Sequence, residues 1–448
     1  MELGDDLYSR FARYKSIMKE SFQIIIIVVF IILAVFGVLV FSGVIPIGSN
    51  NTTGGLGIVV LWGTIKAETM APLLEEFNNA NPTFIVQYVQ KSMDTFDQDL
   101  LEALATGVGP DMFFLPDNLA FHYANRIFTI PYQSYSLASF KNAFAGAGEV
   151  FVTSKGILAI PISIDPLVMY YNRSILDANS IIYPPTFWDE LAKLVPIITK
   201  KDDSNKIIKS AVALGHFSNV NHAKDIISAL FMQAGNPIVS EKNGIFSSSL
   251  NTSNQQHNLG SILKSYTDFA DPNKDVYSWN KSFPNSSDAF SKEDLTFYFG
   301  FASELRSLIN KNPNQNFGVA PFPQVRNANF KLTSAHVMGI ALLSTSKNFN
   351  TAFMAASLMA TTGDFASKFS IATGVTPARR DLLKVKLADA YFPIFYNSAL
   401  YARNWLDPSP KDTNDIFRRM IDGVLSNSMS AEDAMSDASS KLGLLLTK

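Results

Sequence analysis

Cysteine is absent from the 448 residues, which excludes disulfides, thiolate zinc sites, a cysteine nucleophile and the lipid-modified cysteine of a bacterial lipoprotein. A strong excess of either charge is also missing. The chain carries 37 basic and 39 acidic residues with no long block of either, so it lacks the basic patch that phosphate backbones require. Hydrolase motifs are absent as well: there is no HExxH, no GxSxG and no SxxK with its partners. Five histidines, His122, His216, His222, His257 and His336, are scattered, and only His216 and His222 are close. A spacing of six puts those two on no shared helix face, so no metal site is expected and the histidines read as surface or loop residues. Neither a cofactor nor a catalytic residue is indicated. A paired-carboxylate glycosidase stays open, because its two acids need only be neighbours in space.

What is present begins with Phe22 to Phe41, FQIIIIVVFIILAVFGVLVF, a run without charge. At 1.5 Å per residue its length matches a bilayer core of about 30 Å, so 22–41 is expected to be a transmembrane anchor. The alternative is a cleavable signal peptide, which usually has a shorter apolar core and a small-x-small site, offered only weakly by Leu39 to Gly43. Arg10, Arg13, Lys15 and Lys19 precede the run and none of Ser42 to Ile65 is charged, which leaves 1–21 cytoplasmic and the bulk of the chain outside the cell membrane. Residues 42–55, with GSNNTTGG at their end, have the composition of a flexible linker.

Beyond the linker, GIVVLW (Gly57 to Trp62) suits a buried strand, and Met70, Leu73, Leu74 and Phe77 then share a helical face. Thr69 is a plausible N-cap for that helix, with Pro72 in its first turn. FIVQYV is a second strand, Thr95 to Thr106 a second helix, and Met112 to Leu115 a third strand after Gly107, Gly109 and Pro110. Such βαβαβ alternation builds a parallel sheet that binds ligands at the carboxyl ends of its strands. Gly156 to Asn172 then reads as two extended runs around Asp165-Pro166, and a second lobe follows. With 47% hydrophobic residues and 35 Phe, the core of both lobes is amply supplied.

Two of the four tryptophans, Trp279 in YSWNKSFPNSS and Trp405 in ARNWLDPSP, lie in polar, loop-like surroundings. Each either plugs the edge of a core or offers a flat ring to the apolar face of a sugar. Trp62, at the end of the first strand, carries the same two readings. Trp188, at a helix start, reads as core.

LWGT (61–64), ATGVGPDMFFL (105–115), GILAIPISIDPLVMYYNRSIL (156–176), PPTFWDEL (184–191), FGVAPFPQ (317–324), STSKN (344–348) and GVTPARRDLL (374–383) together resemble, in order and spacing, the family 1 extracellular solute-binding proteins of ABC importers. The maltose-binding protein belongs to that group. The resemblance implies an α/β fold of two lobes joined by a hinge: 56–163 with 315–362 as lobe one, and 164–314 with 363–448 as lobe two. It implies a small ligand, a carbohydrate or similar polar solute, bound by lobe closure and passed to permease subunits without chemistry. It places Asp117 and Asn118, after the GPD strand, and Asp165, in the hinge, at the ligand, with Trp62, Trp279 and Trp405 as expected stacking rings. The maltose-binding branch has a tryptophan where Leu115 stands and another that is missing here near Ala302, which points away from maltodextrin. Two other functions share these features: a membrane-anchored glycan-processing enzyme, and a sensory or adhesion ectodomain that has kept the fold.

Overall fold

The computed structural model describes residues 57–204, 206–251 and 258–447. The expected anchor at 22–41, the segment 1–21 and the linker 42–55 lie outside them. Among the described residues no helix is long and apolar enough to cross a membrane.

The opening alternation folds as its periodicity predicts. Strands β1 (Ile58–Gly63), β2 (Ile85–Gln90) and β3 (Met112–Pro116) are parallel, in the order β2-β1-β3. The helix Ala67–Ala80 turns Met70, Leu74 and Phe77 inward, positions one and two turns apart on one face. It begins before Thr69, with Lys66 at the N-cap position, so Pro72 sits inside the helix rather than in its first turn. The helix Phe96–Thr106 ends on Gly107 at φ +70°, a left-handed C-cap that a residue without Cβ adopts at no steric cost.

Five further strands complete the frame: β4 (Ile160–Asn172), β5 (Ile207–Val212), β6 (Leu295–Phe301), β7 (Phe317–Pro321) and β8 (Thr333–Leu342). Main-chain pairing runs β2-β1-β3-β8-β4-β6-β5, so one path of hydrogen bonds joins both lobes. The side chains nevertheless form two separate cores. Ile160, Ile162 and Ile164 of β4 pack in the first and Leu167 to Tyr170 in the second, with Asp165 and Pro166 at the crossing. A second crossing separates Leu332 from Ala335, and a third separates Ala402 from Trp405.

These cores correct the expected boundaries after residue 315. Phe317, Val319, Ala320 and Phe322 pack in the second core, because β7 runs antiparallel to the far half of β4, from Phe317 opposite Asn172 to Pro321 opposite Val168. Phe365, Phe369 and Leu383 pack in the first, where Phe365 meets Phe77 edge-on at 5.3 Å and Phe369 lies 5.4 Å from Phe114. The C-terminal helices Pro410–Leu425 and Ala431–Leu446 bury Ile416, Met420, Ile421 and Leu442 in the second core. Ser430 caps the last of them by accepting the Asp433 N–H at 3.0 Å.

Candidate functional site

Strand register assembles the site. β8 lies antiparallel between β3 and β4, with Met338 opposite Pro116 and His336 opposite Asp165. Residues directly opposite in adjacent strands point to the same face, so His336 and Asp165 emerge together. Asp117 joins them because β3 ends at Pro116 and the chain turns at once into a short 3₁₀ segment, Asp117–Leu119. Pro116, Asp117, Asn118, Ser163, Asp165 and His336 line a cavity of about 210 Å³ beside Val375, at the carboxyl end of β3.

Asp117 is 3% exposed and fully engaged. Its Oδ1 accepts the Val337 N–H at 2.8 Å, its Oδ2 accepts from the Asn404 amide, and the His336 Nδ1 stands 3.6 Å from Oδ1. On the other side of the imidazole, Asp225 of the second lobe lies 3.8 Å from Nε2. That residue occupies the first turn of the helix Ala223–Gln233, where a carboxylate suits the positive end of the helix dipole. His336 thus spans an aspartate from each lobe. Its ring rests 4.4 Å from that of Phe301, and on Phe301 sits a second histidine, His222, edge-on at 4.7 Å.

His222 Nε2 is 2.7 Å from Glu304 Oε1. Glu304 also accepts from the Tyr298 hydroxyl at 2.5 Å and the Phe301 N–H at 2.7 Å. One residue before it, the Ser303 N–H donates to Asp165 Oδ1 at 3.0 Å. The strand-end turn after β6 therefore ties the hinge aspartate to the second lobe.

Electrostatics follow from this crowding. Burial disfavours a charged imidazole at His336, but the Asp117 carboxylate, with Asp225 and Asp165 behind it, outweighs burial and pushes its pKa up to about 10. His222 moves the same way: burial lowers it, and Glu304 more than compensates. Glu304 in turn is held below its ordinary value, the His222 bond and charge and the Tyr298 and Phe301 bonds overcoming burial. Asp165 behaves oppositely. Burial raises it to about 6, against the Ser303 bond and the His336 charge.

A pH experiment isolates that last group. An acid whose folded pKa lies above its unfolded value penalises the native state once ionised, so the penalty is full above about 6 and vanishes as pH falls toward 3.8. Asp165→Asn removes the penalty at every pH. The variant should gain stability over the wild type at pH 7, and that gain should shrink by pH 4, as read by urea unfolding at both; a gain that grows on acidification would contradict the assignment.

Of the residues expected at the ligand, Asp117, Asn118 and Asp165 converge on the cavity, whereas the three tryptophans do not. Trp279 is 0% exposed, stacked 4.5 Å from Phe283 at 14°, with its Nε1–H donated to Asn219 Oδ1 at 3.1 Å. Trp405 is 8% exposed in the second core, its ring 6.0 Å from Phe417 at 19°. Trp62 is equally covered in the first core, and the Lys91 ammonium lies 3.9 Å over its ring. All three pack in the cores and none lines the cavity, so the geometry gives no support to the stacking role expected of them. His336, His222, Asp225, Glu304 and Asn404 were not anticipated. His336 opens an apolar strand-like run, and a lone histidine at such a place is the one signal the sequence offered.

Among the described residues no group of three or more histidines and acids is arranged to hold a metal ion. What the cavity offers is a ring of fixed donors and acceptors, two carboxylates, an imidazolium and an amide, on the first lobe beside the crossing, with Asp225 of the second lobe behind His336.

Solved structures share this architecture. A cyclo/maltodextrin-binding protein complexed with maltotetraose aligns with a TM-score of 0.70 and 16% identity, over 88% of this chain and 98% of its own. The cyclic alpha-maltosyl-1,6-maltose binding protein of Arthrobacter globiformis aligns with a TM-score of 0.71 and 15% identity, over 87% and 98%. The GacH receptor of Streptomyces glaucescens, solved unliganded and with acarbose, aligns at 0.64 and 18%, over 88% and 99%. No curated protein matches the chain by sequence. The model of one protein family matches residues 62–364, well over half of the chain. The chain belongs to that family, the bacterial extracellular solute-binding proteins.

Proposed function

We propose that the chain is the extracytoplasmic receptor of an ABC importer and binds a carbohydrate between its lobes. The observation that carries this reading is the cavity of about 210 Å³ at the hinge, where Asp117, Asn118, Asp165 and His336 meet. Sugars present hydroxyls that both donate and accept. Carboxylates and an imidazolium held by the protein's own bonds can answer them without reorganising, which limits the entropy lost on binding. The similarity to receptors solved with maltotetraose and acarbose supports the ligand class.

Mechanism follows from the two lobes. His336 faces Asp117 of one lobe and Asp225 of the other, so a ligand at this point touches groups whose separation depends on lobe angle. Its differential affinity for the two arrangements sets how far closure is favoured. In this reading Phe22 to Phe41 anchors the receptor in the membrane and 42–55 gives it reach, keeping it near the permease at high effective concentration.

A thermal-shift screen against mono- and oligosaccharides tests the ligand class. A true ligand at 100 times its Kd should add about 2.7 kcal/mol to the native state, and it should be recovered chemically unchanged. Absence of any shift across the panel would overturn the carbohydrate reading, and cleavage of the ligand would replace the receptor with an enzyme.

A further inference from the structure

We propose that the second lobe holds another ligand site, apart from the cleft, for a small uncharged apolar molecule. A hollow of about 370 Å³ opens between the helices Trp188–Ile198, Ala223–Gln233 and Leu259–Thr267. Trp188, Leu214, Leu230, Ile262 and Phe269 form its wall, and Ala192 and Ala234 leave the room between them. The volume falls within the range of sites that take small molecules, about 300 to 1,000 Å³. The hollow is open to solvent on one side, where the three helices diverge.

The polar groups around the hollow are already satisfied. The Trp188 Nε1–H donates to Gln233 Oε1 at 2.8 Å, which leaves the indole to present only its apolar surface. The Tyr266 hydroxyl donates to the His216 carbonyl at 2.9 Å, and the Ser265 hydroxyl to the Ser261 carbonyl at 2.9 Å. At the rim both oxygens of Asp189 accept from Arg326 Nε at 3.1 Å. Water needs about two to four polar partners to be held in such a place, and this wall offers almost none. An aromatic or branched alkyl molecule loses nothing by entering and removes apolar surface from solvent.

This site is separate from the cleft yet joined to it by one rigid element. The helix Ala223–Gln233 presents Asp225 toward His336 near its start, and to the hollow it presents Leu230 about 8 Å farther along the axis, with its C-cap Ala234 about 13 Å farther, at 1.5 Å per residue.

N-phenyl-1-naphthylamine, a neutral apolar fluorophore, serves as the probe on the full chain. Saturable fluorescence enhancement at one site is expected. Ala192→Trp and Ile262→Trp each fill the hollow with a ring and should weaken binding at that site at least tenfold, while far-UV circular dichroism stays native. Wild type and variants carry the same apolar run 22–41, so any enhancement it gives is common to all, and the difference reads the hollow alone. Enhancement identical in wild type and folded variants would overturn the site. Should both variants fail to fold, xenon-pressurised crystals of the wild type decide: xenon between Trp188, Leu230 and Ile262 supports the proposal, and an empty hollow refutes it.

Discussion

Trp279→Ala should lower folding stability by about 3–5 kcal/mol, the usual cost of emptying a buried aromatic site, with unchanged ligand affinity in the molecules that remain folded. The indole is completely buried and lies nearly parallel to Phe283 at 4.5 Å. Its removal also takes the hydrogen-bond donor from Asn219 Oδ1, whose amide holds the carbonyls of Asn280 and Phe283 at 3.0 and 3.1 Å. A cavity and an unpaired buried oxygen would therefore appear together, in a loop that depends on both. Trp279→Phe keeps most of the volume and loses the donor, and should fall between. Urea unfolding combined with ligand titration separates the cases: near-native unfolding with weakened binding would restore the indole to the ligand.

The same segment shows why local polarity misleads. YSWNKSFPNSS reads as exposed loop because Ser and Asn dominate it, and Lys281, Ser282 and Asn285 are indeed exposed, yet the polar atoms around the buried Trp279 find partners far away in sequence. The Ser278 hydroxyl donates to the Val212 carbonyl at 2.8 Å, and the Ser286 N–H donates to the Asn219 carbonyl at 3.0 Å. A polar segment can be buried whenever such bonds replace water, and no window on the sequence contains both ends of them. Trp405 follows the same logic: beside it Asp407 accepts from Lys224 at 2.7 Å and from Thr413 at 2.9 Å, so ARNWLDPSP is tied down over the second core. Periodicity within β1 to β3 is local, by contrast, and the parallel opening and its helices were legible to within a few residues. The boundaries after 315 were not, because β7 is assigned to a lobe by its pairing with β4, a long-range event. Asp117, Asn118 and Asp165 could be placed through the family resemblance. His336 and His222 could not, since their roles come from register opposite Asp165 and from a left-handed turn at φ +59° before the helix Ala223–Gln233.

Asp117→Ala should be the most disruptive single change in the cleft, and its cost should depend on pH. The carboxylate satisfies the Val337 N–H and the Asn404 amide and is the nearest counter-charge to His336. Removing one partner of a buried pair costs about 3–5 kcal/mol; His336 keeps 40% of its side chain exposed, so solvent screening puts the expected loss at the low end, about 3 kcal/mol. With its folded pKa raised to about 10, His336 contributes stability that is complete below its unfolded value of 6.5 and is lost as pH rises through 10. Without Asp117 the folded pKa should fall back toward 6.5, held above it only by Asp225 and Asp165. The stability gap between wild type and variant should therefore be widest below pH 6.5 and narrow steadily toward pH 10. Asp117→Asn retains an acceptor for Val337 while removing the charge, so it should reproduce the shift in His336 with a smaller loss of stability. NMR titration of the His336 ring reads the shift directly, and a wild-type imidazole titrating near 6.5, or one unmoved by Asp117→Ala, would break the link between the two lobes' aspartates on which the cleft's electrostatics rest.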